Sequence, residues 1–126
     1  MSNNNENLTE LFGEPISVYT RAQAIADGVL VDVSDRAKRY AIRFPVALTD
    51  GLYSVLTERA DTEALKQLCV DLLLITMRQK IVAASETDRI DFVVKLPHVP
   101  AITVYALCTP GDSPEPVITV MLPHED

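Results

Sequence analysis

Carboxylates are the most abundant side chains of this sequence that could do chemistry. The 126 residues include 18 Asp and Glu against 11 Lys and Arg, which gives a formal net charge of −7. The last fifteen positions hold four of these acids, Asp112, Glu115, Glu125 and Asp126, enough for an acid/base pair in principle. Because Asp112 is a turn former, Glu115 lies between two prolines and the other two end the chain, surface roles are favoured over catalysis. Together with Arg21, these four residues are predicted to contact a partner, and no catalytic residue is predicted.

The other residue types that carry chemistry do not form recognisable sites. His98 and His124 have neither a histidine four positions away nor a nearby cysteine, so no metal site is predicted. The four glycines form no phosphate-binding loop, and none of the serines lies in a GxSxG setting. Cys69 and Cys108 are flanked by apolar residues and are expected to be buried free thiols. We therefore predict no cofactor.

The acidic balance restricts the classes of partner. With a sequence pI near 4.7, the surface should repel nucleic acid and anionic lipid, so direct binding to either is not expected. The apolar run at residues 72–75 is far shorter than the roughly 20 residues of a membrane span. Residues 1–7 have no basic start and no apolar segment, which predicts a cytoplasmic protein. The acidity is compatible with solubility alone, with docking onto a basic partner, or with imitation of nucleic acid.

Helix-capping signals predict the elements of the first half. Thr20 can begin a helix that ends at Asp27-Gly28, and an extended segment follows over residues 29–33. Ser34-Asp35 can cap a helix over 36–42, and Thr49-Asp50 can open one through residue 56.

The strongest helical pattern covers residues 61–84. Apolar residues recur there at steps of three and four, which predicts an amphipathic helix with one buried face. That face is predicted to consist of Leu65, Leu68, Cys69, Leu72, Ile75 and Met77, with Leu73 and Leu74 widening it.

The last third changes to the period of two that is typical of strands. Residues 90–96, 101–108 and 117–122 are predicted strands, and the last two should pair antiparallel across a loop of about eight residues. Helices first and strands last indicate an α+β domain, an antiparallel sheet with helices packed on one face. Residues 1–9 are predicted to be a flexible lead and residues 10–126 a single domain.

Four segments of the sequence are distinctive: FGEPISVYTRAQAIADGVLVDVS at 12–34, FPVALT at 44–49, PGD at 110–112 and EPVITVMLP at 115–123. They resemble an uncharacterised family of small proteins spread through phages, plasmids and other mobile elements. The resemblance implies an accessory protein that acts inside a bacterial host cell, and it implies no reaction.

Three hypotheses about function follow from these observations. The leading one is a non-enzymatic binder that sets its carboxylates against a basic host protein and inhibits it, for instance a nucleic-acid-targeting defence complex, as anti-CRISPR or anti-restriction proteins do. The second is a small group transferase for a nucleotide-derived substrate, in which Tyr19 and Arg21 hold an anionic cofactor and Glu115 acts beside them; it requires one cavity that joins Arg21 and Glu115. The third is a homo-oligomeric module that uses the wide apolar face of the 61–84 helix.

Overall fold

A computed structural model describes residues 19–84, 87–97 and 100–125 of the chain. Its helices and strands follow in the order α1 (Arg21–Ala26), β1 (Leu30–Asp32), α2 (Ser34–Lys38), β2 (Val46–Thr49), α3 (Asp50–Leu56), α4 (Glu63–Ala83), β3 (Arg89–Val94), β4 (Ile102–Pro110) and β5 (Pro116–Met121), and a 3-10 turn covers Pro123–Glu125. The predicted flexible lead, residues 1–9, lies outside the described residues. None of the described helices combines the length and the apolar character that crossing a bilayer requires.

Threonine caps begin three of the four described helices. The side chains of Thr20, Thr49 and Thr62 accept hydrogen bonds from backbone N–H groups three residues further along, and these groups would otherwise be unsatisfied. Each of these helices starts within two residues of its predicted position. Capping depends on a few neighbouring residues, which is why sequence alone located the starts at Thr20 and Thr49, whereas the start of α4 was predicted from its apolar periodicity and the Thr62 cap was not predicted.

The start of α2 differs from its prediction. The helix begins at Ser34 and not at Arg36, and no side chain caps it. The Ser34 hydroxyl donates to Asp32 Oδ1 at 2.6 Å and accepts the Val46 N–H at 3.0 Å. Because the Ser34 hydroxyl makes these contacts, it ties the start of α2 to the end of β1 and to the start of β2.

The strands form one five-stranded sheet in the order β1-β2-β5-β4-β3, which confirms the α+β class. Three of its four pairings are antiparallel, including the predicted β4–β5 hairpin, whereas β2 runs parallel to β5. The sheet is therefore mixed, and β2 was not predicted as a strand. The hairpin ladder extends to Pro110 opposite Pro116, so its loop is residues 111–115 and shorter than expected.

One face of the sheet forms the main hydrophobic core with side chains from α2, α3 and α4. Its fully enclosed members include Leu48, Leu52, Leu73, Leu74, Met77, Val104 and Val120. Helix α1 reaches the opposite face, because its Arg21 guanidinium bonds the Thr119 hydroxyl, and Thr119 alternates with the core residues Ile118 and Val120. The helices are therefore not all on one face.

The predicted buried face of α4 is wrong for three of its members. Leu65 and Leu68 are each 43% exposed and Ile75 is 36% exposed. The residues of α4 that enter the core are Val70, Leu73, Leu74 and Met77, all predicted except Val70, and the predicted Cys69 and Leu72 are half-buried and pack against it. The helix carries apolar residues on two opposite sides, so periodicity alone could not identify the side that meets the sheet.

An ion pair fixes α2 against α4. The Arg36 guanidinium donates to both carboxylate oxygens of Asp71, with Nε 2.9 Å from Oδ1. Burial of Asp71 opposes its ionisation, but hydrogen bonds from Arg36 and Tyr40 outweigh it and hold the pKa of this carboxyl below its usual value. Asp71 is therefore ionised at neutral pH.

Candidate functional site

An acidic groove lies where α1, the end of β1 and the 111–115 loop meet. Its volume is about 440 Å³. It is lined by Arg21, Ala22, Ile25, Asp32, Ser34, Pro45, Gly111, Asp112, Ser113, Glu115 and Val117. Three of the five residues predicted to contact a partner, Arg21, Asp112 and Glu115, thus come together although the chain separates them by about 90 residues.

Asp112 anchors the hairpin loop to the first turn of α1. Its Oδ1 accepts the Arg21 N–H at 2.8 Å, and its Oδ2 accepts the Ala22 N–H at 3.1 Å. Within the loop, the Gly111 N–H donates to the Glu115 carbonyl at 3.0 Å. A side chain at Gly111 would place Cβ 2.8 Å from the side chain of Val117, so this position has no room for one. The loop is therefore held in one geometry from both ends.

The Arg21 side chain is half-buried and already fully engaged at its tip. One terminal nitrogen donates to Thr119 Oγ1 at 2.7 Å and the other to the Ile118 carbonyl at 2.8 Å. Burial lowers the pKa of Arg21, and the nearby Asp32 and Asp112 partly oppose that shift. The guanidinium therefore fastens α1 to β5 and has little capacity left for a bound anion.

Glu115 and Asp32 supply the available negative charge of the groove. Both residues are exposed. Glu115 has no side-chain hydrogen bond or ion pair within the described residues, whereas Asp32 Oδ1 accepts from the Ser34 backbone and hydroxyl. With Asp112, the groove holds three carboxylates against the single guanidinium of Arg21. Its field is therefore negative and favours a cationic ligand.

The remaining predicted contact residues do not line the acidic groove. Glu125 Oε1 accepts the Thr49 hydroxyl at 2.6 Å and the Leu122 N–H at 2.9 Å, so it ties the C-terminal turn to the cap of α3. Asp126 lies outside the described residues. Sequence reasoning missed Asp32 and Ser34 as groove residues; the available signal was a pair of polar residues directly after the apolar run 29–31.

The transferase hypothesis required one cavity joining Arg21 and Glu115, and the acidic groove does join them. The charge of this cavity disfavours an anionic cofactor, because carboxylates outnumber the one cation. The Tyr19 hydroxyl donates to Asp27 Oδ2 at 2.8 Å, which raises the pKa of Tyr19 and leaves it no free proton for an anion. Neither His nor Cys lines the groove. Its one hydroxyl bonded to a carboxylate, Ser34 on Asp32, also accepts the Val46 N–H and so holds β1 and β2 together.

A larger and mostly apolar groove of about 640 Å³ lies between the end of α3, the start of α4 and the segments around residues 97 and 100. Its apolar lining includes Val55, Leu56, Leu65, Leu68, Leu96, Ile102 and Leu122. Glu58 and Arg59 are its charged residues. Cys69 also lines it, but burial raises the pKa of this thiol, so it is a poor nucleophile at neutral pH.

No cluster in the described part of the chain resembles a metal centre, since no three His, Cys, Asp or Glu side chains gather there in a suitable arrangement. Both cysteines are free, as predicted, and each is half-buried.

Comparison with curated proteins and with solved structures found no significant match. A protein-family model described as a family of unknown function, DUF6573, matches residues 7–126. This match covers nearly the whole chain, including all the residues that form the acidic groove and the core. The chain therefore belongs to the DUF6573 family.

Proposed function

We propose that this protein is a non-enzymatic binding module that docks a basic partner protein in the acidic groove. The observation that carries the proposal is the placement of Glu115 and Asp32, two exposed carboxylates beside a third, in a groove whose only cation is engaged elsewhere. A lysine or arginine side chain of a partner would neutralise charges that the chain itself leaves unpaired.

The rigidity of the groove supports this function. The loop that carries Glu115 is fastened to α1 through Asp112, and prolines flank Glu115 on both sides. A carboxylate held in place before binding loses little conformational entropy when a cation arrives. The same hydrogen bonds that stabilise the fold thus prepare the binding surface.

The proposed partner is a protein of a bacterial host, and inhibition is the proposed consequence of binding. A protein that grips nucleic acid presents clustered Lys and Arg side chains, which is the chemistry that complements this groove. A nucleic-acid-targeting defence complex, of the CRISPR or restriction type, is such a host target. The resemblance of the four distinctive segments to proteins of phages and plasmids favours this setting.

Affinity capture from a bacterial lysate tests the proposal. The double variant Asp32→Asn/Glu115→Gln removes the two available charges of the groove with little change of shape. The control Asp61→Asn/Asp88→Asn changes net charge equally at two exposed carboxylates that make no side-chain hydrogen bond or ion pair within the described residues. We expect one or more basic proteins to be retained by wild type and control at about 0.05 M salt, and to be lost with the groove variant and at about 0.3 M salt.

Two outcomes contradict the proposal. Equal retention by the groove variant and the control would show that net charge alone causes binding. Retention that is indifferent to salt would exclude the electrostatic contact.

A further inference from the structure

The outer face of α4 is an apolar stripe that is exposed over most of its length. It consists of Leu65, Leu68, Leu72, Ile75, Gln79 and Val82, at alternating steps of three and four residues. Its member Leu72 is half-buried and also packs against the edge of the core. Val82 is 70% exposed, Leu65 and Leu68 are 43% exposed, and Ile75 is 36% exposed. No charged residue belongs to this stripe, which extends along a helix about 31 Å long at ~1.5 Å per residue.

The stripe lies directly opposite the part of α4 that enters the core. At 3.6 residues per turn, Val70, Leu73, Leu74 and Met77 project to one side of the helix axis, and the stripe residues project to the other. A soluble helix that packs on one side normally presents charged residues on the other. Helices that are apolar on both sides are normally buried on both sides. The exposed stripe of α4 therefore points to an interface with another protein surface.

We infer that the stripe is covered by the α4 helix of a second copy of this chain, running antiparallel. The steps of three and four are the heptad spacing with which two helices interlock their side chains. With a two-fold axis between Leu73 and Leu74, each stripe residue faces a stripe residue of the other copy: Leu65 faces Val82, Leu68 faces Gln79, and Leu72 faces Ile75. The stripe is thus complementary to itself under the symmetry that dimers most often use.

The charges beside the stripe agree with the antiparallel direction. Asp71 and Arg78 flank the stripe on the same side of α4, one near its middle and the other nearer its end. The two-fold axis brings Arg78 of each copy close to the Arg36–Asp71 pair of the other, where it would add a second cation beside Asp71, whereas a parallel pair would place these residues on opposite sides of the interface. Arg78 has no hydrogen bond or ion pair within the described residues, so it is available for this contact. Antiparallel helix dipoles also attract each other.

Dimerisation along α4 does not depend on the proposed binding of a basic partner, and the two respond to salt in opposite directions. Each copy carries a net charge of −7, so two copies repel each other, while the stripe itself is uncharged. Added salt screens that repulsion and should strengthen the dimer, whereas it should weaken binding at the acidic groove.

Sedimentation equilibrium of the full chain tests the inference. Leu68→Glu places a charge in the stripe, and Val93→Glu is its control, because Val93 is also apolar and 45% exposed but lies on β3. We expect wild type and Val93→Glu to have the mass of two chains at tens of micromolar, and Leu68→Glu the mass of one chain with an unchanged circular dichroism spectrum. A single-chain mass for wild type, or the same mass for wild type and Leu68→Glu, overturns the inference.

Disulfide crosslinking tests the direction of the pair, in a Cys69→Ser/Cys108→Ser background. A mixture of Leu65→Cys and Val82→Cys chains should form a crosslinked heterodimer on oxidation, because these positions face each other in the antiparallel pair. Efficient crosslinking of Leu65→Cys with itself, and of Val82→Cys with itself, would overturn the antiparallel arrangement.

Discussion

The inner and outer faces of α4 carry similar residues in opposite surroundings. On the inner face, Leu73, Leu74 and Met77 are fully enclosed by the sheet and the neighbouring helices. On the outer face, leucines of the same size are almost half exposed and contribute little to the core. The core of a single chain therefore buries only the apolar residues on the inner face of this helix. We infer that those on the outer face are buried in an interface.

The acidic groove makes a second contrast with the outer face of α4. The groove carries three carboxylates, and its shape is fixed by hydrogen bonds between segments about 90 residues apart. The outer face is uncharged, and it is rigid only because its residues belong to a helix. One surface suits a cation and the other suits a second apolar helix, so the two can be occupied at the same time.

The largest expected effect is the difference in stability between a substitution on the inner face of α4 and one on its outer face. Leu74→Ala removes a fully enclosed side chain and is expected to lower the free energy of unfolding by about 2–5 kcal/mol. Leu68→Ala, on the outer face, is expected to change it by less than about 1 kcal/mol in dilute solution, where the chain is monomeric. Urea denaturation at low protein concentration measures both. Equal losses would mean that the outer face is packed within one chain.

A second variant should affect both the fold and the groove. Asp112→Ala removes the acceptor of two N–H groups at the start of α1 and should cost about 1 kcal/mol, as the loss of a helix cap does. It should also release the loop that carries Glu115 and weaken binding of a cationic ligand. Thermal unfolding and ligand titration of the same sample check the two effects. Full stability in this variant would show that Asp112 does not anchor the loop.

A smaller effect is expected for the Arg36–Asp71 ion pair at the side of α4, and it should depend on pH. Because the pKa of Asp71 is lowered in the folded state, its ionisation stabilises the fold above its ordinary value of 3.8, and this contribution is lost as the pH falls through the lower folded value. Asp71→Asn should therefore lower Tm near neutral pH, and the difference from wild type should shrink below 3.8. A difference in Tm that stays constant over this range would show that the Arg36–Asp71 pair does not stabilise through charge.

The smallest expected effect is that of Glu115→Gln on stability. Its side chain is exposed and makes no hydrogen bond or ion pair within the described residues, so the free energy of unfolding should change by less than about 0.5 kcal/mol. This variant thereby separates binding from folding at the groove. A larger loss, measured by urea denaturation, would assign Glu115 a structural role.

Local signals in the sequence predicted much of the fold. The caps at Thr20 and Thr49, the Asp27-Gly28 end of α1 and the alternation of the three last strands involve residues close together in the chain. Gly28 has a φ of 81°, a conformation that glycine adopts without strain at the end of a helix. These features were predicted because their physical cause is local.

The remaining features depend on contacts between distant segments. Strand β2 has four residues and follows a proline, so its pattern is too short to recognise, and its parallel partner β5 lies some 70 residues further along. The buried side of α4 could not be chosen because both sides are apolar. The meeting of Arg21 with Asp112 and Thr119 follows from topology, which no local pattern encodes.

The central claim is that the acidic groove binds a cationic partner, and titration with a fluorescent oligoarginine peptide tests it most directly. Wild type, the Asp32→Asn/Glu115→Gln variant and the Asp61→Asn/Asp88→Asn control are compared by fluorescence anisotropy at about 0.05 M salt. Two exposed carboxylates, each contributing ~0.2–1 kcal/mol, predict a two- to roughly thirtyfold weaker affinity for the groove variant. The control should bind nearly as tightly as wild type. Equal affinities of the two double variants for the peptide would contradict the claim.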